Sequence, residues 1–231
     1  GKARIRRGAG GGAAEAGCSE NSKIRSGPLA GPVFSSRGRL MEERLICPER
    51  RCPVGDDRKT ARFQLGREPE GMLGVAARCA YGAPFVLLCS PVVIREGGKA
   101  EPFPTVYWLA CPYLRDMIGN LEGGPAFTHI RGRIRRDGAF REGVLDSAAN
   151  YRAKRASLYE DLPAEVKGMI NKNATKSLLA AGPGGIKTFE NIKCLHIYLA
   201  NWLAGNVDPI GRTAAELIAD MDRSARKEAD R

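Results

Sequence analysis

The segment IKCLHIYLANWLAG, residues 192–205, places a cysteine and a histidine two positions apart within an apolar stretch. Cys194 and His196 carry a thiol and an imidazole, and both groups are common ligands of zinc. Both residue types are also frequent in packed cores, where the thiol behaves as a small apolar group and the imidazole forms hydrogen bonds. The residue types therefore allow a metal site or a core helix.

Helical geometry limits how these two side chains can cooperate. If the segment is a helix with about 100° per residue, several apolar side chains lie on one face, and His196 lies at the edge of that face. The members of this stripe are Ile192, Leu195, Leu199, Trp202 and Leu203. Cys194 would lie about 160° around the axis from His196 if both were helical. One metal ion can bind both only if Cys194 precedes the helix, and Thr188 and Asn191 are both acceptable N-cap residues.

Three apolar runs separated by short turn segments precede this helix. They are MLGVAARCA, PFVLLCSPVVI and FPTVYWLAC, and their connections are YGAP at 81–84 and EGGK at 96–99. Short connections imply antiparallel neighbours, so the runs predict a three-stranded meander with one face that needs cover. We expect an α+β fold over residues 60–222, in which a small three-stranded antiparallel sheet packs against four or five helices.

The helices that supply this cover are marked by apolar spacing and by proline and glycine. A short helix ends at Gly66, a second begins at Pro112, and a long one starts near Val144. The segment HIRGRIRRDGAFR, residues 129–141, is interpreted as a basic connector. The remaining predicted helices are PAEVKGMINKN from Pro163, the segment 192–205, and TAAELIADMDRSARKEADR at the C-terminus, whose residues 223–231 form a charged tail.

Two further cysteines fall where the predicted sheet could bring them together. Cys79 and Cys111 follow the first and third strands, which run parallel in a meander, so both lie at the same end of the sheet. With Cys194 and His196 they form a three-cysteine, one-histidine set, which suits structural zinc and is tolerable for an iron–sulfur cluster. The spacing does not follow a C-x2-C pattern, and buried or merely free thiols are the alternative.

A nucleophilic site would use the same atoms differently. Cys111 directly precedes a predicted helix, where backbone N–H groups favour a thiolate, and His196 could act as its base. No active-site signature accompanies them. The pair Cys47 and Cys52 in CPERRC could hold two ligands of a separate knuckle, but no second close pair completes it.

Arginines concentrate in the basic connector. Arg131, Arg133, Arg135 and Arg136 could neutralise several phosphates, and Arg67 is an isolated anion-binding candidate. These residues suggest a polyphosphate or RNA partner, with a solvated loop as the alternative. The segment AGPGGIKT lacks the glycine spacing of a phosphate-binding loop, which argues against nucleotide hydrolysis. An interaction protein without chemistry is a third possibility.

The chain has 231 residues and a formal net charge of +11, with 43% hydrophobic residues. Residues 1–40 carry 8 basic and 2 acidic residues, a net +6, and no apolar period. We expect them to be a disordered basic tail or a non-native extension, followed by a flexible lead-in at 41–59. Seven cysteines without a secretory signal indicate a reducing cytoplasm. No apolar run approaches the roughly 20 residues of a membrane span.

Three ordered blocks resemble the signature blocks of a bacterial family, domain of unknown function 501. The blocks are FQLGREPEGMLGVAARCAYGAPFVL, PFPTVYWLACPYL and GGIKTFENIKCLHIYLANWLAGNVDPIG, within residues 63–211. The resemblance implies a bacterial cytoplasmic protein with recurrent residues at Cys79, Cys111, Cys194 and His196. Family genes often neighbour exopolyphosphatase genes, which associates the family with phosphate metabolism. The chain departs from the family at Ala80, where proline is usual, and at two positions where histidines are frequent, Tyr198 and Asn201.

Overall fold

The computed structural model describes residues 52–188 and 192–229. The predicted tail at 1–40, most of the lead-in at 41–59, Cys47 and Asn191 lie outside these residues. Described cysteines 52, 79, 89, 111 and 194 are thiols and not disulfides. No helix in the described ranges is long and apolar enough to cross a membrane.

The main sheet has the predicted topology. Strands β1 (Met72–Arg78), β2 (Pro84–Cys89) and β5 (Tyr107–Leu109) lie in the order β1-β2-β5, and both pairings are antiparallel. The first turn closes through a hydrogen bond from the Gly82 N–H to the Cys79 carbonyl, and Gly82 adopts a φ of 83°. This left-handed conformation favours glycine, which explains its place in the connection.

The second apolar run was predicted as one strand, and this prediction is wrong. The run breaks at Ser90 and Pro91, where the Ser90 hydroxyl donates to the Val92 carbonyl at 2.6 Å. Strand β3 (Val92–Ile94) then pairs with β4 (Ala100–Pro102) in a separate two-stranded sheet. The turn at 96–99 therefore closes this second hairpin and does not join strands of the main sheet.

Eight helices occur in the described ranges. They are α1 (Asp57–Leu65), α2 (Pro112–Glu122), α3 (Ala126–Arg136), α4 (Gly138–Glu160), α5 (Ala164–Gly168), α6 (Lys172–Ala180), α7 (Leu195–Leu203) and α8 (Pro209–Ala229). Helix α1 ends as predicted, because Gly66 is left-handed with a φ of 69°. The segment from Pro163 was predicted as one helix but forms two, since the Asn171 side chain caps α6 by accepting from the Ala174 N–H.

The basic connector is also a correction, because most of it is helix α3. Ala126, Ile130 and Ile134 recur at intervals of four and are buried on one face. Asp137 ends α3 and accepts the Phe140 N–H at 3.0 Å, so α4 begins at Gly138. Helix α4 consequently starts before the predicted position near Val144.

One large core lies between the main sheet and the helices. Its fully buried helical side chains come from α2, α3, α4, α7 and α8. Examples are Leu114, Ile118, Ile130, Leu195, Leu199 and Ile218. The predicted stripe of α7 is therefore core-facing, with Ile192 and Leu203 also buried and Trp202 partly buried. Helix α7 is anchored by this stripe, which fixes the position of its first turn.

Candidate metal centre

Cys194 lies immediately before helix α7. It occupies the N-cap position with extended backbone angles, φ −155° and ψ 153°, and the helix begins at Leu195. Of the two predicted cap residues, Thr188 is not the cap, and Asn191 lies outside the described residues. A helical Cys194 would point about 160° away from His196 around the helix axis. Because Cys194 precedes the helix, its sulfur can lie on the same side as the imidazole, as a shared metal site requires.

The third member of the site is Glu122, the last residue of α2. Gly123, Gly124 and Pro125 follow it, so the chain turns away and leaves the carboxylate at the helix end. Its Oε1 atom accepts the backbone N–H of Leu195 and lies 3.1 Å from Nδ1 of His196. The carboxylate thereby lies at the N-terminus of α7, where unpaired N–H groups and the helix dipole stabilise negative charge.

Glu122, Cys194 and His196 form one group of possible metal ligands. One ligand atom from each residue lies within 4.8 Å of the others. The side chains of His196 and Glu122 are 32% and 23% exposed, so the group is accessible from solvent. Carboxylate oxygen, thiolate sulfur and imidazole nitrogen are all ligands of zinc.

Burial raises the pKa of the Cys194 thiol above its ordinary value. The backbone N–H of Ile197 opposes this shift, whereas the nearby Glu122 charge adds to it. A bare thiolate is therefore disfavoured at this position. A bound cation would favour the thiolate electrostatically, because it attracts both the sulfur and the carboxylate.

The structure also locates the other two predicted ligands. The backbone N–H groups of Cys79 and Cys111 donate to the carbonyls of Ala83 and Phe85, at the N-terminal end of β2. Both residues thus flank the same end of the sheet. Cys111 is 4% exposed within the main core, and Cys79 packs against that core. Neither belongs to the group of Glu122, Cys194 and His196, and the four-residue set stays a prediction.

The predicted anion-binding arginines divide into two groups. Arg131, Arg133, Arg135 and Arg136 are exposed on α3. Arg131 donates to the Ile192 carbonyl at 3.4 Å, and Arg133 pairs with Asp137 at 3.3 Å. Arg67 is separate from these, because its guanidinium lies 4.8 Å from the centre of the Trp108 ring.

Sequence reasoning missed Glu122 as a site residue. Its only local signal is an acidic side chain at a helix end that precedes a glycine pair. Such a residue is ordinary on a surface, and 72 positions separate it from Cys194. The proximity of α2 to α7 is what makes Glu122 a candidate ligand.

The fold and the site define an α+β protein with a partly exposed Glu–Cys–His group where one helix ends and another begins. The chain belongs to the family described as Protein of unknown function (DUF501), whose model matches residues 75–216. Searches of curated proteins and of solved structures find no match.

Proposed function

We propose that the protein binds a zinc ion through Glu122, Cys194 and His196. The observation that carries the proposal is the mutual separation of the three ligand atoms, which is at most 4.8 Å. With metal–ligand bonds of about 2.0–2.3 Å, tetrahedral geometry separates ligand atoms by roughly 3.3–3.8 Å. The separations between the ligand atoms therefore need to shorten by at most about 1 Å, which rotation of the side chains can supply.

The position of the group supports a structural role for the ion. It would join the end of α2 to the start of α7, and it would neutralise the carboxylate and the thiolate together. Three protein ligands leave a fourth tetrahedral position for water or another small ligand. A single ion suits one thiolate better than an iron–sulfur cluster does, because such clusters are held chiefly by several cysteines.

The test is anaerobic purification of the protein, followed by elemental analysis and an absorption spectrum. We expect near-stoichiometric zinc, with the metal lost from Cys194→Ser and His196→Gln and sharply weakened in Glu122→Gln. Replacement of zinc by cobalt should produce a thiolate charge-transfer band that Cys194→Ser abolishes. Folded protein without metal affinity would contradict the proposal and would favour an interaction protein without chemistry.

The sequence-derived set of Cys79, Cys111, Cys194 and His196 is tested in the same experiment. Cys79→Ser and Cys111→Ser should keep bound zinc if Glu122 is the third ligand. Loss of metal in these two variants, with retention in Glu122→Gln, would favour the four-residue set. Iron with broad visible absorbance would indicate a cluster.

We infer a bacterial cytoplasmic protein from the family resemblance and from the thiols. The absence of disulfides among the described cysteines is consistent with a reducing compartment. Fractionation of cells that carry the natural gene would check this, and recovery in the extracellular fraction would contradict it.

A further inference from the structure

Helices α2 and α3 are joined by the three residues Gly123, Gly124 and Pro125. A short glycine-containing turn between two helices is one feature of helix–turn–helix units, whose second helix enters the major groove of duplex DNA. Helix α3 packs inward through Ala126, Ile130 and Ile134. Its opposite face is therefore available to a partner.

The outward face of α3 is dominated by cationic side chains. At about 100° per residue, Arg131, Arg135, Thr128, Gly132, Arg136 and His129 follow one another around an arc of about 160°. All of these except Gly132 are exposed. Gly132 lies near the centre of this arc, and the Arg136 guanidinium lies over it, since an added Cβ there would be 2.8 Å from Nη2 of Arg136. We call this surface the α3 arginine face.

Among the residues that the structure describes, no ion pair joins an acidic side chain to Arg131, Arg135 or Arg136 of the α3 arginine face. Helix α3, of sequence AFTHIRGRIRR, contains no acidic residue. The neighbouring Asp137 pairs with Arg133, whose guanidinium also lies 4.1 Å from the centre of the Phe140 ring. Arg133 is thus engaged within the fold, and the Arg131 guanidinium contacts the Ile192 carbonyl and the Phe127 ring. Arg135 and Arg136 lie in the last turn of α3, with the Arg136 guanidinium over Gly132 of the same helix. Charge complementarity indicates a polyanion as the partner.

The spacing of the arginines and the lack of exposed aromatic rings on α3 indicate which kind of polyanion binds. Arg131 and Arg135 are one turn apart, a rise of about 6 Å, so a row of guanidinium groups can meet successive phosphates. Phe127, the only aromatic residue of α3, is partly buried and lies beneath the Arg131 guanidinium. Proteins that bind single strands without sequence preference use exposed aromatic rings for base stacking. An arginine-rich helix without such rings suits a duplex groove better.

We propose that the α3 arginine face binds duplex DNA, with α3 in the major groove and the arginines on the phosphates that border it. The arginines that the sequence places in a basic connector lie on helix α3. The proposal does not depend on the zinc site, because none of the proposed metal ligands belongs to α3.

The test is fluorescence anisotropy of a labelled duplex of about 20 base pairs, titrated with the full chain at salt concentrations from about 50 to 200 mM. We expect affinity to fall steeply with salt. The double variant Arg135→Gln with Arg136→Gln should weaken binding at least about tenfold and reduce the slope of log affinity against log salt by about 2, since each phosphate contact contributes roughly 0.9.

The matched control is Lys172→Gln with Lys176→Gln, which removes the same charge from exposed positions on α6. This control should change the affinity for duplex DNA by less than about twofold, because the proposal requires the positive charges of α3 and not those of α6. Thermal unfolding should show that both double variants remain folded. Equal effects of the two double variants would overturn the proposal, because binding would then depend on net charge alone.

Competition distinguishes duplex DNA from the partners that the sequence suggests. Single-stranded uridine RNA and long-chain polyphosphate, at equal phosphate concentration, should displace the duplex poorly. Tighter binding of either polymer would overturn the assignment to duplex DNA and would favour that polymer as the partner. Absence of duplex binding at low salt would also overturn it.

Discussion

The Oε1 atom of Glu122 lies 3.1 Å from Nδ1 of His196, although 74 residues separate them in the chain. The same oxygen accepts the backbone N–H of Leu195. One carboxylate thus stabilises the first turn of α7 and orients the imidazole. The two roles can be separated by substitution, because a neutral amide oxygen can still accept a hydrogen bond.

Glu122→Gln should weaken zinc binding by about 10- to 100-fold while folding stability changes little, because Gln keeps an acceptor for the Leu195 N–H but loses the charge. Glu122→Ala should lose the same affinity and, in addition, about 1 kcal/mol of stability through the missing cap. Chelator competition measures the first quantity, and urea unfolding without metal measures the second. Equal zinc affinity in the wild type and both variants would show that Glu122 is not a ligand.

Arg155 on α4 is 0% exposed and donates to the carbonyls of Pro104, Leu178, Ala181 and Gly182. The planar guanidinium carries five N–H donors on three nitrogens, whereas the lysine ammonium carries three on a single nitrogen and cannot span the same set of carbonyls. Arg155→Lys should therefore lower the free energy of unfolding by about 2–4 kcal/mol, because buried carbonyls lose their donors.

Urea unfolding checks the Arg155 prediction, with Arg141→Lys as the control on an exposed position of the same helix. The control should show little change. A similarly small effect for Arg155→Lys would mean that lysine or water replaces the lost hydrogen bonds.

Asp208 is fully buried, and burial raises its pKa from 3.8 to about 6, although hydrogen bonds from Asn201, Gly211 and Ser147 oppose the shift. A carboxyl whose folded pKa is raised contributes stability that is present below its unfolded pKa and is lost as pH rises through its folded pKa. This contribution should disappear as pH rises from about 4 to about 6.5.

The stability of the wild type relative to Asp208→Asn should accordingly fall by on the order of 3 kcal/mol across that range. The measurement is the free energy of unfolding of both proteins at several pH values. Asp146→Asn on the surface of α4 controls for the loss of one carboxylate. A difference between wild type and Asp208→Asn that does not vary with pH would contradict the prediction.

Gly211 on α8 packs directly against α7. An added Cβ would overlap the Tyr198 carbonyl and lie 2.7 Å from Cβ of Trp202. Gly211→Ala should therefore cost about 1–3 kcal/mol, because the helices must separate. Gly119→Ala on α2, where nothing lies within 4 Å of an added Cβ, should stabilise the protein by about 0.5–1 kcal/mol. Thermal unfolding of both variants checks that Gly211→Ala lowers the stability of the protein and that Gly119→Ala raises it.

Several elements could be predicted because their signals are local. The main sheet was predicted from three apolar runs and short turns, and Gly66 was predicted to end α1 because glycine adopts the left-handed conformation at little cost. The buried stripe of α7 follows from apolar residues at helical spacing. In each case, neighbouring residues contain the necessary information.

Other elements were misjudged because distant packing decides them. The many arginines of α3 led to the prediction of a connector. The segment is a helix because its apolar side chains Ala126, Ile130 and Ile134 are covered by the core. The run PFVLLCSPVVI contains no strong break except Pro91. Its division into two strands follows from pairing of β3 with β4, whose residues Ala100–Pro102 belong to none of the three apolar runs.

The sequence by itself determined the class of fold, the core face of α7 and the presence of Cys194 and His196 near one helix start. These properties depend on composition and on periods of two to four residues. Only the tertiary structure decided that Cys194 precedes the helix and that Glu122 is the third member of the group. The reason is physical: the end of α2 meets α7 through buried side chains from several elements, and no local pattern specifies that meeting.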